Sequence, residues 1–265
     1  MGTDQEVTFA GAGGVRLSGV LDRPDGETGA VALFAHCFTG GKDFATSRRI
    51  ADALAERGTA VLRFDFTGLG ESGGDFADST FTSNIVDLVR AADYLRDTIG
   101  APSLLVGHSL GGAAVIAAAE RIPEARAVAT IGAPADPAHV MGMLAEYREE
   151  IEAAGEAEVH LAGRTFRVGK EFLEDVAGQP QTERLARMES ALLVLHAPGD
   201  DVVGVEHAAR IFTAARHSKS YLSLDDADHL LRRRADAEYA AAMIATWAQR
   251  YVPSEGAARC ESWMG

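Results

Sequence analysis

The sequence predicts an α/β protein: a mostly parallel sheet of about eight strands, helices on both faces, and a small insertion carrying a β-hairpin. Three observations predict it. Runs that are apolar throughout, such as Ala30–Ala35 ("AVALFA"), alternate with helical patterns, as expected of strands buried on both faces. The alternation breaks once, between Pro134 and Ser190. One strand-like run ends in "GHSLGG", where a histidine and a serine are boxed by glycines before a helix of small residues.

The elements follow in order. Val7–Ala10 and Val15–Leu21 flank "GAGG" and read as an antiparallel hairpin. Buried strands are expected at Ala30–Ala35, Ala60–Phe64, Ser103–Val106, Ala127–Ile131 and Ala191–Leu195, with Ser220–Leu224 closing the series. Helical periodicity covers Ser47–Arg57, Thr82–Thr98, Leu110–Arg121, Glu206–Ala215 and Asp236–Tyr251. Within the insertion, a charged helical pattern runs over Met141–Ala153. Val159–Gly169 alternates about a glycine-containing turn and reads as a hairpin, and a short helix from Lys170 stops at Gly178. The expected organisation is a core over 1–133, a lid over 134–190, the core resumed over 191–252 and a frayed tail over 253–265.

Composition excludes several function classes. The chain has 265 residues, 47% of them apolar, which is enough for one large core. A net charge of -14 argues against nucleic-acid binding, which needs clustered cations. No apolar run is long enough to span a bilayer, and the start resembles neither a signal peptide nor an acylation site. Cys37 and Cys260 form no metal spacing and no disulfide framework. A cytoplasmic protein without metal or organic cofactor is expected.

Gly107-His108-Ser109-Leu110-Gly111 fits G-x-S-x-G between a strand and a helix, the context of a nucleophile elbow. Such a turn strains the serine backbone so that the hydroxyl projects above the sheet, and the helix start turns free amides toward it. A serine hydroxyl is a weak nucleophile and needs a histidine base steadied by a carboxylate. His229, in the loop after the last strand, is the expected base. The acid is Asp200 or Asp201, after the strand Ala191–Leu195, with Asp225, Asp226 and Asp228 as rivals in the histidine's own loop. The usual spacing, an acid two residues before a paired "VV", selects Asp200. The oxyanion site needs two backbone donors: the amide of Leu110, and one from "AHCFTGG", with Phe38 favoured and Cys37 its neighbour. Cys37 reads as a packing residue. His36 and His196 read as shaping local backbone, and His108 as facing away from the base position. The glycine-rich "RFDFTGLGESGG" is neither a Walker motif nor a dinucleotide fingerprint and reads as a tight loop.

Together "AHCFTGG", "RFDFTGLGES", "GHSLGG", "HAPGDDVVG" and "DADHLL" resemble the α/β-hydrolase superfamily over nearly the whole chain. The likeness is closer still to the hydrolase half of bacterial proteins fused to an OsmC-like domain, on "FAHCFT", "IGAPADPAHV" and "KSYLSLDDADHLL". The sequence stops at Gly265 without an OsmC-like part, so no peroxidase chemistry is expected. The insertion is similar to the small lids of feruloyl and cinnamoyl esterases. The resemblance implies an α/β-hydrolase fold, a triad of Ser109, Asp200 and His229, and an oxyanion hole from the Phe38 and Leu110 amides. It implies a carboxylesterase for short-chain or aryl esters, with acyltransferase, thioesterase, peptidase, C–C hydrolase and non-catalytic ligand-binding protein as alternatives. His108, Met141, Met143, Leu144, Phe166 and Phe172 are candidates for touching substrate, with Tyr147, His139 and His160 nearby. The expected partner is a small-molecule ester, with self-association open.

Overall fold

A computed structural model describes residues 3–161 and 163–252. Cys260 and the expected tail lie outside the described residues. The main sheet has eight strands in the order β1-β2-β4-β3-β5-β6-β9-β10. These are β1 (Thr3–Ala10), β2 (Arg16–Arg23), β3 (Ala30–Ala35), β4 (Thr59–Phe64), β5 (Leu104–His108), β6 (Ala127–Ile131), β9 (Ala191–His196) and β10 (Lys219–Ser223). β1 pairs antiparallel with β2 and β2 with β4, and β4, β3, β5, β6, β9 and β10 pair parallel in that order. The expectation of a mostly parallel eight-stranded sheet is therefore borne out. It rests on strands whose residues are almost all buried, since parallel strands are covered on both faces.

Two apolar layers flank the sheet. α1 (Ala45–Ala55) and α9 (Arg234–Ala248) pack on one face through Ile50, Leu54, Ala240 and Ile244. α2 (Phe81–Thr98), α3 (Leu110–Ala119) and α8 (Glu206–Ala214) cover the other through Leu88, Val115 and Ile211. α2 starts on a capping box: the Thr80 side chain accepts from the Ser83 amide, and the Ser83 hydroxyl accepts from the Thr80 amide. α3 is buried along its whole length, so its "LGGAAVIAAA" shows no polar face.

Between β6 and β9 lie α4 (Val140–Met143), α5 (Arg148–Ala154), the two-stranded sheet β7 (Glu156–Leu161) and β8 (Arg164–Gly169), α6 (Lys170–Ala177) and α7 (Gln181–Arg187). Two features differ from the sequence reading. The single helix expected over Met141–Ala153 is divided, because Leu144 leaves helical geometry (φ -101°, ψ 6°) and tucks into the core, and a 3₁₀ turn over Ala145–Tyr147 joins the halves. α7 was not expected: only Gln181 and Leu185 of its seven residues are buried, too few to show a period.

Candidate active site

The site gathers where β3, β5, β6, β9 and β10 end, at the carboxyl edge of the parallel sheet. Ser109 follows β5 directly with φ 55° and ψ -125°, a conformation costly for a residue with a side chain. The surrounding glycines explain why the chain accepts it. A Cβ on Gly107 would stand 2.3 Å from the Gly111 carbonyl oxygen, and one on Gly111 would stand 2.3 Å from that of His36. Strand and helix backbones approach too closely there for any side chain.

His229 approaches from the loop after β10. Its Nδ1–H donates to Asp200 Oδ2 at 2.8 Å. In the neutral ring this tautomer turns the Nε2 lone pair to Ser109, where it accepts from Oγ at 3.0 Å. Asp200 is also held by the amides of Val202 (3.0 Å) and Val203 (2.8 Å), which donate to Oδ1. Burial raises its carboxyl pKa, but hydrogen bonds from His229 and these amides outweigh it and hold the group below the ordinary value. The structure thus brings Ser109, His229 and Asp200 together; Asp201 and Asp228 border the same cleft, but the carboxylate bonded to the imidazole is that of Asp200. Asp225 accepts from the Ser223 hydroxyl, and Asp228 accepts from the Arg232 amide.

Three hydrogen bonds from two elements anchor the histidine loop. His108 Nε2–H donates to the His229 carbonyl at 2.7 Å. On α1, Thr46 Oγ1 donates to the Leu230 carbonyl, and Arg49 donates to that of Arg232 at 2.7 Å. His196 Nε2–H donates to the Val203 carbonyl at 2.7 Å and so steadies the turn carrying Asp200.

Phe38 lines the same cleft as Ser109, Leu110 follows Ser109 in the chain, and the amides of both find no acceptor among the described residues. The Phe38 ring stacks on Phe172 at 5.5 Å and meets the edges of Phe76 and Phe166 at 5.5 and 5.4 Å. Cys37, beside it, is buried, and burial pushes its thiol up, which keeps it protonated. Ser109, His229, Phe38, Thr39, Met143, Val202 and Arg232 line a cleft of about 240 Å³.

The other expected contacts divide. Met143 borders the cleft, Met141 is half-buried against the apolar core, and Phe166 is half-buried against Phe38 and Phe76. Phe172 and Leu144 are fully buried and pack in the core. His108 is buried beside His229 and holds its backbone carbonyl. His207 is buried and accepts from the Ala135 amide at 3.1 Å. His139 donates to the Val202 carbonyl, and His160 pairs with Thr165 in the hairpin. Sequence reasoning missed Gly132, whose φ of 54° lets β6 turn beneath the His229–Asp200 pair; its signal was a glycine at a strand's carboxyl end. Among the described residues, the carboxylates near enough to share a cation are Asp4, Asp22 and Asp52, but Asp22 is already bound at 2.8 Å by the buried Arg63 guanidinium.

Residues 32–247 match the family described as Alpha/beta hydrolase family. The chain belongs to it. The hydrolase superposes on the esterase domain of a Rhodothermus marinus protein with a TM-score of 0.77 and 45% identity, covering 94% of this chain and 99% of that domain. It is 27% identical over 234 residues to the monoacylglycerol lipase of Mycolicibacterium smegmatis, covering 77% of this chain and 81% of the lipase. It is 26% identical over 190 residues to human mitochondrial palmitoyl-protein thioesterase ABHD10, covering 68% of this chain and 60% of that protein. Among the described residues, no helix of this hydrolase is long and apolar enough to cross a membrane.

Proposed function

We propose that this hydrolase is a serine carboxylesterase that cleaves short-chain or aryl esters through an acyl-enzyme on Ser109. The observation that carries the reading is the unbroken run of hydrogen bonds from Ser109 Oγ through His229 to Asp200. The 45% identity to an esterase domain adds weight. His229 takes the Ser109 proton as the oxygen attacks the ester carbonyl, and the Phe38 and Leu110 amides stabilise the oxyanion. His229, oriented by Asp200, then protonates the leaving alcohol. Water repeats the attack and frees the acid, so the cycle needs no cofactor. Residues 134–190 act as a small lid, and Met143 and Phe166 shape the bound ester. A cytoplasmic setting belongs to the same proposal.

The likeness to a thioesterase supports a second reading, in which the same residues cleave a thioester. Fold alone does not separate these chemistries, nor acyl transfer, peptide or C–C bond cleavage. The test is turnover of p-nitrophenyl acetate and butyrate beside matched thioester and amide substrates, with Ser109→Ala as control. The esterase reading expects ester turnover to exceed the others and Ser109→Ala to abolish it. It fails if a fluorophosphonate leaves Ser109 unlabelled, or if thioester turnover dominates.

A further inference from the structure

The β7–β8 hairpin reaches the oxyanion loop by one cation. Arg164, on β8, donates from Nη1 to the carbonyls of Thr39 at 3.0 Å and Gly40 at 2.6 Å. Arg167, on the same strand, pairs with Asp75 and Glu156. Arg164 has no carboxylate within ion-pair distance among the described residues, so its bonds go to the loop's backbone instead.

The two peptide units beneath it are connected in a particular order. Arg164 draws on the Thr39 carbonyl, which shares its peptide unit with the Gly40 N–H. That N–H donates to the Cys37 carbonyl at 2.9 Å. The Cys37 carbonyl shares its peptide unit with the Phe38 N–H and also accepts from His36 Nδ1 at 2.7 Å. Each bond to a carbonyl polarises the N–H of the same unit, so hydrogen bonds in series reinforce one another. The Arg164 charge also acts through space on the same loop: it opposes protonation of His36 and favours the Cys37 thiolate, though burial dominates at both groups.

We infer that Arg164 is a positioning residue for the oxyanion site: from the hairpin, it orients and polarises the Phe38 amide through the Thr39–Gly40 and Cys37–Phe38 peptide units. The inference rests on the esterase reading above and deepens it. The hairpin is then part of what prepares the site for the tetrahedral state, and more than a cover over the cleft. A donor used only in that state changes kcat and leaves ground-state binding alone.

The experiment compares wild type, Arg164→Ala, Arg164→Lys and the hairpin control Arg167→Gln, each checked for native circular dichroism and melting. Readouts are kcat and KM on p-nitrophenyl butyrate and the inhibition constant of butylboronic acid, which forms a tetrahedral adduct on serine. Expected for Arg164→Ala is a fall in kcat of about tenfold, as for a misplaced catalytic group, with KM within about twofold and boronate binding weakened in proportion to kcat. Arg164→Lys, which keeps the charge without the rigid fork, recovers part of the loss; added guanidinium does the same for Arg164→Ala. Arg167→Gln behaves as wild type. A rise in KM at constant kcat makes Arg164 a substrate contact and overturns the inference, as does unchanged boronate affinity. Wild type that takes no fluorophosphonate on Ser109 overturns the esterase reading itself, and the inference with it.

Discussion

Gly132 stands so close to the His229–Asp200 pair that a methyl group there would be 3.3 Å from both Asp200 Oδ2 and His229 Nδ1. It is also held at φ 54°, where a side chain is strained. Gly132→Ala is expected to lower stability by about 1–2 kcal/mol and to reduce kcat on the order of tenfold through a displaced imidazole. Urea unfolding and steady-state kinetics on one preparation check both. Unchanged kcat would mean that the pair tolerates the crowding.

Asp200 and Asp225 offer a direct test of which acid serves the histidine. Asp200→Asn removes the acceptor that keeps the proton on Nδ1, so kcat should fall by about 10⁴-fold. Asp225 is exposed and bonds only the Ser223 hydroxyl among the described residues, so Asp225→Asn should leave kcat/KM near wild type. Equal losses in the two variants would remove Asp200 from its assigned role.

His108 gives stability a pH dependence. Burial, with a smaller electrostatic contribution from neighbouring His229, pushes the His108 pKa down to about 4 from 6.5. The unfolded chain therefore binds a proton that the folded chain refuses between those values. The neutral ring's contribution is complete above about 6.5, is lost as pH falls toward 4, and changes no further below that. It amounts to about 3 kcal/mol over the window. Unfolding free energies of wild type and His108→Gln between pH 3.5 and 8 should diverge over that range, other titrating groups cancelling in the difference. Parallel curves would contradict the shift.

Phe172 and Met143, both expected at the sequence level to touch substrate, should separate by assay. Phe172→Ala empties a fully buried site and should cost about 3–5 kcal/mol of stability. Met143→Ala, at the cleft wall, should change KM for longer acyl esters while melting stays close to wild type. Thermal melts beside a series of acyl chain lengths decide between the two roles.

The strands of the sheet were legible because burial on both faces writes an unbroken apolar run, as in Ala30–Ala35 and Ala127–Ile131, whose boundaries match the structure. The positions of Ser109, Asp200 and His229 could be read because each follows such a run at a turn with its own chemistry. The residues between β6 and β9 were harder. Phe172 and Phe166 look alike in sequence, yet one is sealed under Phe38 and the other is half-buried at the hairpin. His108 looks like part of the elbow, but its partner is a carbonyl 121 residues away. Arg164 left no signal at all, since its partners are backbone oxygens on a distant loop, and backbone carries no side-chain signature.

The bond from His108 to the His229 carbonyl has a practical reach. The residue just ahead of the serine fastens the peptide that bears the base, so the two cannot be re-engineered separately. A foreign loop grafted between β10 and α9 must return a carbonyl to the same spot over β5, or the imidazole will miss its mark whatever its own sequence. Redesign for new substrates is better aimed at the side chains of Met143, Val202 and Arg232 around the opening, since the tethers at Val202 and Arg232 run through backbone atoms.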